Sequence, residues 1–156
     1  MNDSKLALKE PIQQVLRDFA FLDLEVFPCE TPFQSEWALN CMVRCGGKCG
    51  GTVALFARLE LAIETADNML GTETDFRQQI DTMSELTNVL AGNAYEIYCN
   101  GLRPSEISIP KLLSPHSARL LWDDSPVECR YLLRTERRVE GGLLVELPKE
   151  WSTQWK

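Results

Sequence analysis

The apolar positions between Phe76 and Tyr98 keep helical time. With Met83 as origin and a rotation of about 100° per residue, Phe76, Ile80, Leu90, Ala94, Ile97 and Tyr98 fall within roughly 60° of it, which predicts a helix with one buried stripe. On the other side, within about 30° of a common direction, stand Glu85, Asn88 and Gly92. Residues three and four apart are neighbours on a helix surface, so these form a short strip of carboxylate, carboxamide and bare backbone. Glycine inside a helix costs about 0.5–1 kcal/mol relative to alanine, so Gly92 points to something that must come close.

Around this helix the same patterning predicts the other elements. Lys5 to Ala20 reads as a helix striped by Ile12, Val15, Leu16 and Phe19, with Pro11 in its first turn, packed beside the Phe76–Tyr98 helix. Leu22 to Phe27 reads as a strand closed by Pro28 and Pro32. Trp37, Leu39, Cys41, Val43 and Cys45 alternate with Ala38, Asn40, Met42 and Arg44, the signature of a half-buried strand. It turns at Gly46-Gly47 and returns over 51–59. That return strand sets Val53, Leu55 and Ala57 on one face and Ala54 and Phe56 on the other, so it is predicted to be central and covered on both sides.

Glu60 to Leu70 reads as a short helix ended by Gly71, with Thr72 to Asp75 capping the next helix and fraying near Asn100-Gly101. Strands are expected at Glu106–Leu112, Val127–Thr135 and Gly142–Leu147. A polar connection containing Pro115, His116, Asp123 and Asp124 separates the first two. The order α-β-β-β-α-α-β-β-β is that of an α+β fold, antiparallel sheet packed with two long helices and one short one. Gly50-Gly51 and Gly141-Gly142 each open an apolar strand, which suggests a worn duplication.

Length and charge narrow the function. With 156 residues and 44% apolar content, residues 1–156 suffice for one domain with a real core. Sixteen basic against twenty-three acidic residues give a net charge of −7, which repels phosphate backbones and anionic membranes and argues against nucleic acid as a partner. No apolar run approaches the roughly 18 residues of a membrane span, and Met1 to Lys5 lead into a polar helix without a signal-peptide core, so a cytoplasmic location is expected. The six cysteines are then expected as thiols. Cys41, Cys45 and Cys49 lack Cys-x-x-Cys spacing and the single histidine, His116, is distant in sequence, so no metal site is expected; the cluster reads as small hydrophobes, with a redox or metal sensor as the weaker reading. His116, between Pro115 and Ser117, is expected to be solvated.

The string Glu85-x-x-Asn88-x-x-x-Gly92-Asn93 resembles the signature of the CheC/CheX family of chemotaxis phosphatases, the CheX branch in particular. Gly50-Gly51-Thr52-Val53-Ala54-Leu55, Ala66-Asp67-Asn68-Met69-Leu70-Gly71 and Ile107-Ser108-Ile109-Pro110 are similar to that family's neighbouring elements, so the resemblance runs over residues 5–148. It implies a CheC-like fold and removal of the phosphoryl group from the aspartate of a CheY-like response regulator. Asn88 is no general base near neutral pH, but its carboxamide can orient a water in line with phosphorus. By resemblance Glu85 docks the receiver's lysine, Val89, Gly92 and Asn93 contact the partner, and Mg2+ is carried by the receiver, with no cofactor on this chain. The resemblance further implies a homodimer. The first helix offers Glu10-Pro11-Ile12-Gln13 with Arg17 and Asp18 in place of Gly92 and Asn93, so a single site is expected. The alternative, from a different class, is a catalytically silent module that binds a receiver or a flagellar-switch protein.

Overall fold

The computed structural model describes residues 3–46, 50–98, 101 and 106–146. In chain order its elements are α1 (Asp3–Ala20), β1 (Glu25–Pro28), β2 (Trp37–Arg44), β3 (Thr52–Arg58), α2 (Leu59–Leu70), α3 (Phe76–Tyr98), β4 (Lys111–Leu113), α4 (Pro115–Asp124), a 3-10 turn (Val127–Cys129), β5 (Arg130–Arg134) and β6 (Val139–Glu146). The strands form one antiparallel sheet in the order β1-β5-β6-β3-β2-β4. No helix among the described residues is long and apolar enough to cross a membrane.

β3 lies inside the sheet, as its two apolar faces require, with five consecutive buried residues. Val53, Leu55 and Ala57 face a cluster with Leu8, Ile12 and Leu16 of α1 and Met83, Leu86, Leu90 and Ala94 of α3. Ala54 and Phe56 face a smaller cluster with Phe33, Trp37, Trp122 and Leu144. The α+β fold and the α1 beside α3 packing therefore stand as expected. Gly71 closes α2 in the left-handed conformation (φ 70°), and its N–H donates to the carbonyl of Asp67 at 2.9 Å. Asp75 and Gln78 cap α3 reciprocally: the Gln78 N–H donates to Asp75 Oδ1 at 2.8 Å and the Asp75 N–H to Gln78 Oε1 at 2.9 Å.

Several expectations are corrected. The connection read as a polar loop is α4, a ten-residue helix with Ser114 as N-cap and Pro115 behind it. It packs on the second face of the sheet, so Asn40, placed on the polar side of β2, is fully buried, while Ala38 and Arg44 stay exposed and Met42 half-buried as the alternation predicts. A register irregularity between Trp37 and Leu39 turns Trp37 away from Leu39, Cys41 and Val43 and into the aromatic cluster under α4. Pro11 sits inside α1 rather than in its first turn. The strand drawn over Glu106–Leu112 is β4 plus an isolated bridge between Cys45 and Ile107. Phe76, assigned to the buried stripe, is 59% exposed at the first position of α3, where the helix begins. The paired glycines are not equivalent. Gly50 and Gly51 precede β3 with positive φ, whereas Gly141 and Gly142 lie within β6, where the strand passes close to the carbonyl of Phe56 and the rings of Trp37 and Trp122. Gly47, Cys49 and Asn100, invoked in the turn, the thiol cluster and the fraying end, lie outside the described residues.

Candidate functional site

The strip sits on the outer side of α3, held in place by what lies under it. Leu86, Leu90 and Ala91 are buried against the sheet, which turns Glu85 outward into solvent and leaves Asn88 and Gly92 half-buried at the margin. Between strip and sheet lie the inner-side residues Ser84 and Thr87. Thr87 Oγ1 donates to the Met83 carbonyl at 2.7 Å, and Ser84 Oγ lies 3.8 Å from Cys41 Sγ. Burial pushes the Cys41 thiol above its ordinary value, only partly offset by hydrogen bonds from Ser84 and Thr87. Burial raises Cys45 as well. These two thiols are bedding for the helix, and their chemistry is that of small hydrophobes.

The amides of the protein differ in how their hydrogen-bonding capacity is used. Asn93 Nδ2 donates to the Val89 carbonyl at 2.8 Å, so the outer helix turn that carries both residues is locked to itself. On α1, Gln13, the residue at the place of Asn88 in Glu10-Pro11-Ile12-Gln13, accepts the backbone N–H of Val26 at 3.0 Å. Its amide ties α1 to β1. Asn88 Oδ1, by contrast, is buried without a hydrogen-bond partner among the described residues. An unpartnered buried carbonyl costs about 1–3 kcal/mol and is the kind of group that a functional role explains. The sequence placed Asn88 facing water; the structure sets it at the edge of the strip, partly covered.

Gly92 also has a neighbour that sequence reasoning missed. A Cβ built at Gly92 would stand 3.8 Å from Ile107 Cδ1, so the segment leading into β4 runs along the strip. Leu112 pairs with Cys41 in register and so shares its side of the sheet, the side covered by α3. Ile109 is 90% exposed and Leu112 47%. The strand expected over Glu106–Leu112 carries Pro110 and Lys111, which interrupt its apolar run and belong to an edge strand.

Glu85, Asn88 and Gly92 are thus brought together, with Val89 half-buried alongside and Asn93 turned to its own backbone. His116 lies exposed at the start of α4, on the opposite face of the sheet. Among the described residues no three His, Cys, Asp or Glu side chains are grouped to hold a metal ion. A cleft of about 630 Å³ lies elsewhere, between Asp23, Glu64 and the β5–β6 hairpin, and is lined by none of the strip. The strip is a convex helix face, suited to entering a partner's pocket rather than enclosing a small molecule.

The family model described as chemotaxis phosphatase CheX matches residues 39–128. A search of curated proteins found no match. The fold is similar to a CheX–CheY–BeF3–Mg complex from Borrelia burgdorferi, with a TM-score of 0.65 and 15% identity over 94% of this chain and 97% of that one. It is similar as well to a CheC-like superfamily protein from a Shewanella species, at 0.64 and 16% identity over 95% and 99% of the two chains. A chemotaxis protein CheX from Vibrio vulnificus gives 0.61 and 19% identity over 93% of each chain. At these identities the structures attest the fold, and the family match, which spans more than half of the sequence and includes Glu85, Asn88 and Gly92, assigns this protein to the chemotaxis phosphatase CheX family.

Proposed function

We propose that this chain is a phosphatase of response regulators, hydrolysing the phosphoaspartate of a CheY-like receiver domain. The observation that carries the reading is the pair Glu85 and Asn88, one helix turn apart on a convex face, with Asn88 Oδ1 engaged by no hydrogen-bond donor among the described residues. A phosphoryl group on aspartate needs little covalent help; what it lacks is a water held in line with phosphorus. Asn88 carries no proton-accepting chemistry near neutral pH, but its amide can hold that water by hydrogen bonding. Because Oδ1 has no internal bond to give up, rotating the amide towards the partner breaks none.

Glu85, exposed and lying at the tip of the strip, takes the docking role, pairing with a cation beside the partner's phosphorylated pocket. Gly92 keeps the helix surface low where the partner closes over it, and Val89 lines the contact. Mg2+ belongs to the receiver in this reading and neutralises charge on the phosphoryl oxygens. The test is release of phosphate from a receiver charged with acetyl phosphate, with and without this protein. Acceleration by wild type supports the phosphatase; tight binding of the charged receiver without acceleration assigns the chain to the silent binding modules instead.

A further inference from the structure

Resting on that reading, we propose that the segment from Ile107 to Leu112 is the apolar half of the receiver-docking surface, beside the polar half formed by Glu85, Asn88 and Gly92. The two halves are continuous, since Ile107 Cδ1 lies 3.8 Å from the Cβ position of Gly92 and Leu112 shares the α3 side of the sheet with Cys41. Ile109 at 90% and Leu112 at 47% exposure are large aliphatic side chains with no covering element among the described residues. Such side chains next to a polar site are what a partner buries on docking, and their burial supplies binding energy.

The occupant follows from the edge itself. β4 is three residues long and among the described residues pairs only with β2, so its outer side is the natural place for a second copy to add a strand. Pro110 supplies no N–H there, and Lys111 stands exposed on the strand. Both features block strand addition and leave side-chain contact as the mode of binding. A second copy is therefore the poorer fit. The better fit is the molecule that the adjoining strip faces in the proposed function, a receiver domain, because the patch is continuous with that strip.

Ile109→Asp and the double variant Ile109→Asp/Leu112→Asp test this, with Leu120→Asp as control. Leu120 is 48% exposed on α4, across the sheet, so it reports the effect of a new surface charge alone. Binding of CheY-like receiver domains charged with beryllofluoride and Mg2+ is measured first, then hydrolysis of the acetyl-phosphate-charged receivers. The expected result is about a tenfold loss of affinity and an equal rise in KM for Ile109→Asp, a larger one for the double variant, and kcat, melting temperature and the Leu120→Asp control unchanged. Wild-type affinity in both variants overturns the inference, and so does a light-scattering mass that halves in Ile109→Asp, which assigns the patch to a second copy. A wild type that binds the charged receiver without hydrolysing it defeats the phosphatase reading alone, and the affinity of the variants still decides the docking surface.

Discussion

At the scale of single residues, the strip divides binding from chemistry. Glu85→Ala is expected to weaken the complex and with it turnover, because a docking charge acts before and during the reaction. Asn88→Ala is expected to leave binding of the charged receiver nearly intact and to lower the catalysed rate by about two orders of magnitude, or about 2.7 kcal/mol. Since Asn88 Oδ1 is buried without a partner, its removal relieves an unsatisfied group, and the melting temperature should hold or rise slightly. Gly92→Ala is sharper still. The added Cβ meets Ile107 at an ordinary contact distance of 3.8 Å, so the helix should gain about 0.5–1 kcal/mol in chemical denaturation while receiver affinity falls. A substitution that stabilises the protein and weakens its complex would show that this glycine serves the partner and not the fold. If Gly92→Ala binds as wild type does, the close approach assigned to it is wrong.

At the scale of elements, the sequence displayed best what repeats over many residues. The 3.6-residue rhythm of α3 and the two-sided apolar run of β3 were legible, since each is enforced by burial along its whole length. α4 was not, because only Ala118 and Trp122 of its ten residues are buried and its ends carry Pro115-His116 and Asp123-Asp124, the composition of a turn. Ser114 followed by Pro115 was the one local sign of a helix start. The slip at Trp37 could not be read at all, since a bulge leaves the alternation intact on paper and reverses its meaning in space. The site suffered the same limit: spacing along α3 gave Glu85, Asn88 and Gly92, but Ile107 and Leu112 arrive through sheet register. What holds the unexpected helix is Arg130, which is buried, donates through Nη2 to the carbonyls of Asp123 at 2.9 Å and Ser125 at 2.7 Å, and lies with its guanidinium carbon 5.7 Å from the ring centroid of Trp122. A cation at carbonyls that close a helix C-terminus is favourable twice over, through hydrogen bonds and the helix dipole. Arg130→Ala should lower stability by about 3 kcal/mol, measured by urea unfolding, and a loss under about 0.5 kcal/mol would remove this role.

At the scale of the molecule, α1, α2 and α3 on one face of the sheet and α4 on the other make a plate from which α3 presents its outer side. The buried thiols beneath the strip give that plate a pH signature. Cys41 and Cys45 have folded-state pKa values raised by burial, so the folded protein holds these protons more tightly than the unfolded chain does. Their contribution to stability is complete below the unfolded thiol value of about 8.5 and is lost as pH climbs through the raised values. Unfolding free energy should therefore fall on the alkaline side, and less steeply in Cys41→Ala/Cys45→Ala; equal slopes in the two proteins would mean that other groups govern the decline. Phosphate release from an acetyl-phosphate-charged CheY-like receiver is followed with wild type and with Asn88→Ala at equal, saturating concentrations. Acceleration by wild type and a rate about a hundredfold lower with a folded, receiver-binding Asn88→Ala is the predicted result. Equal rates with the two proteins would contradict it.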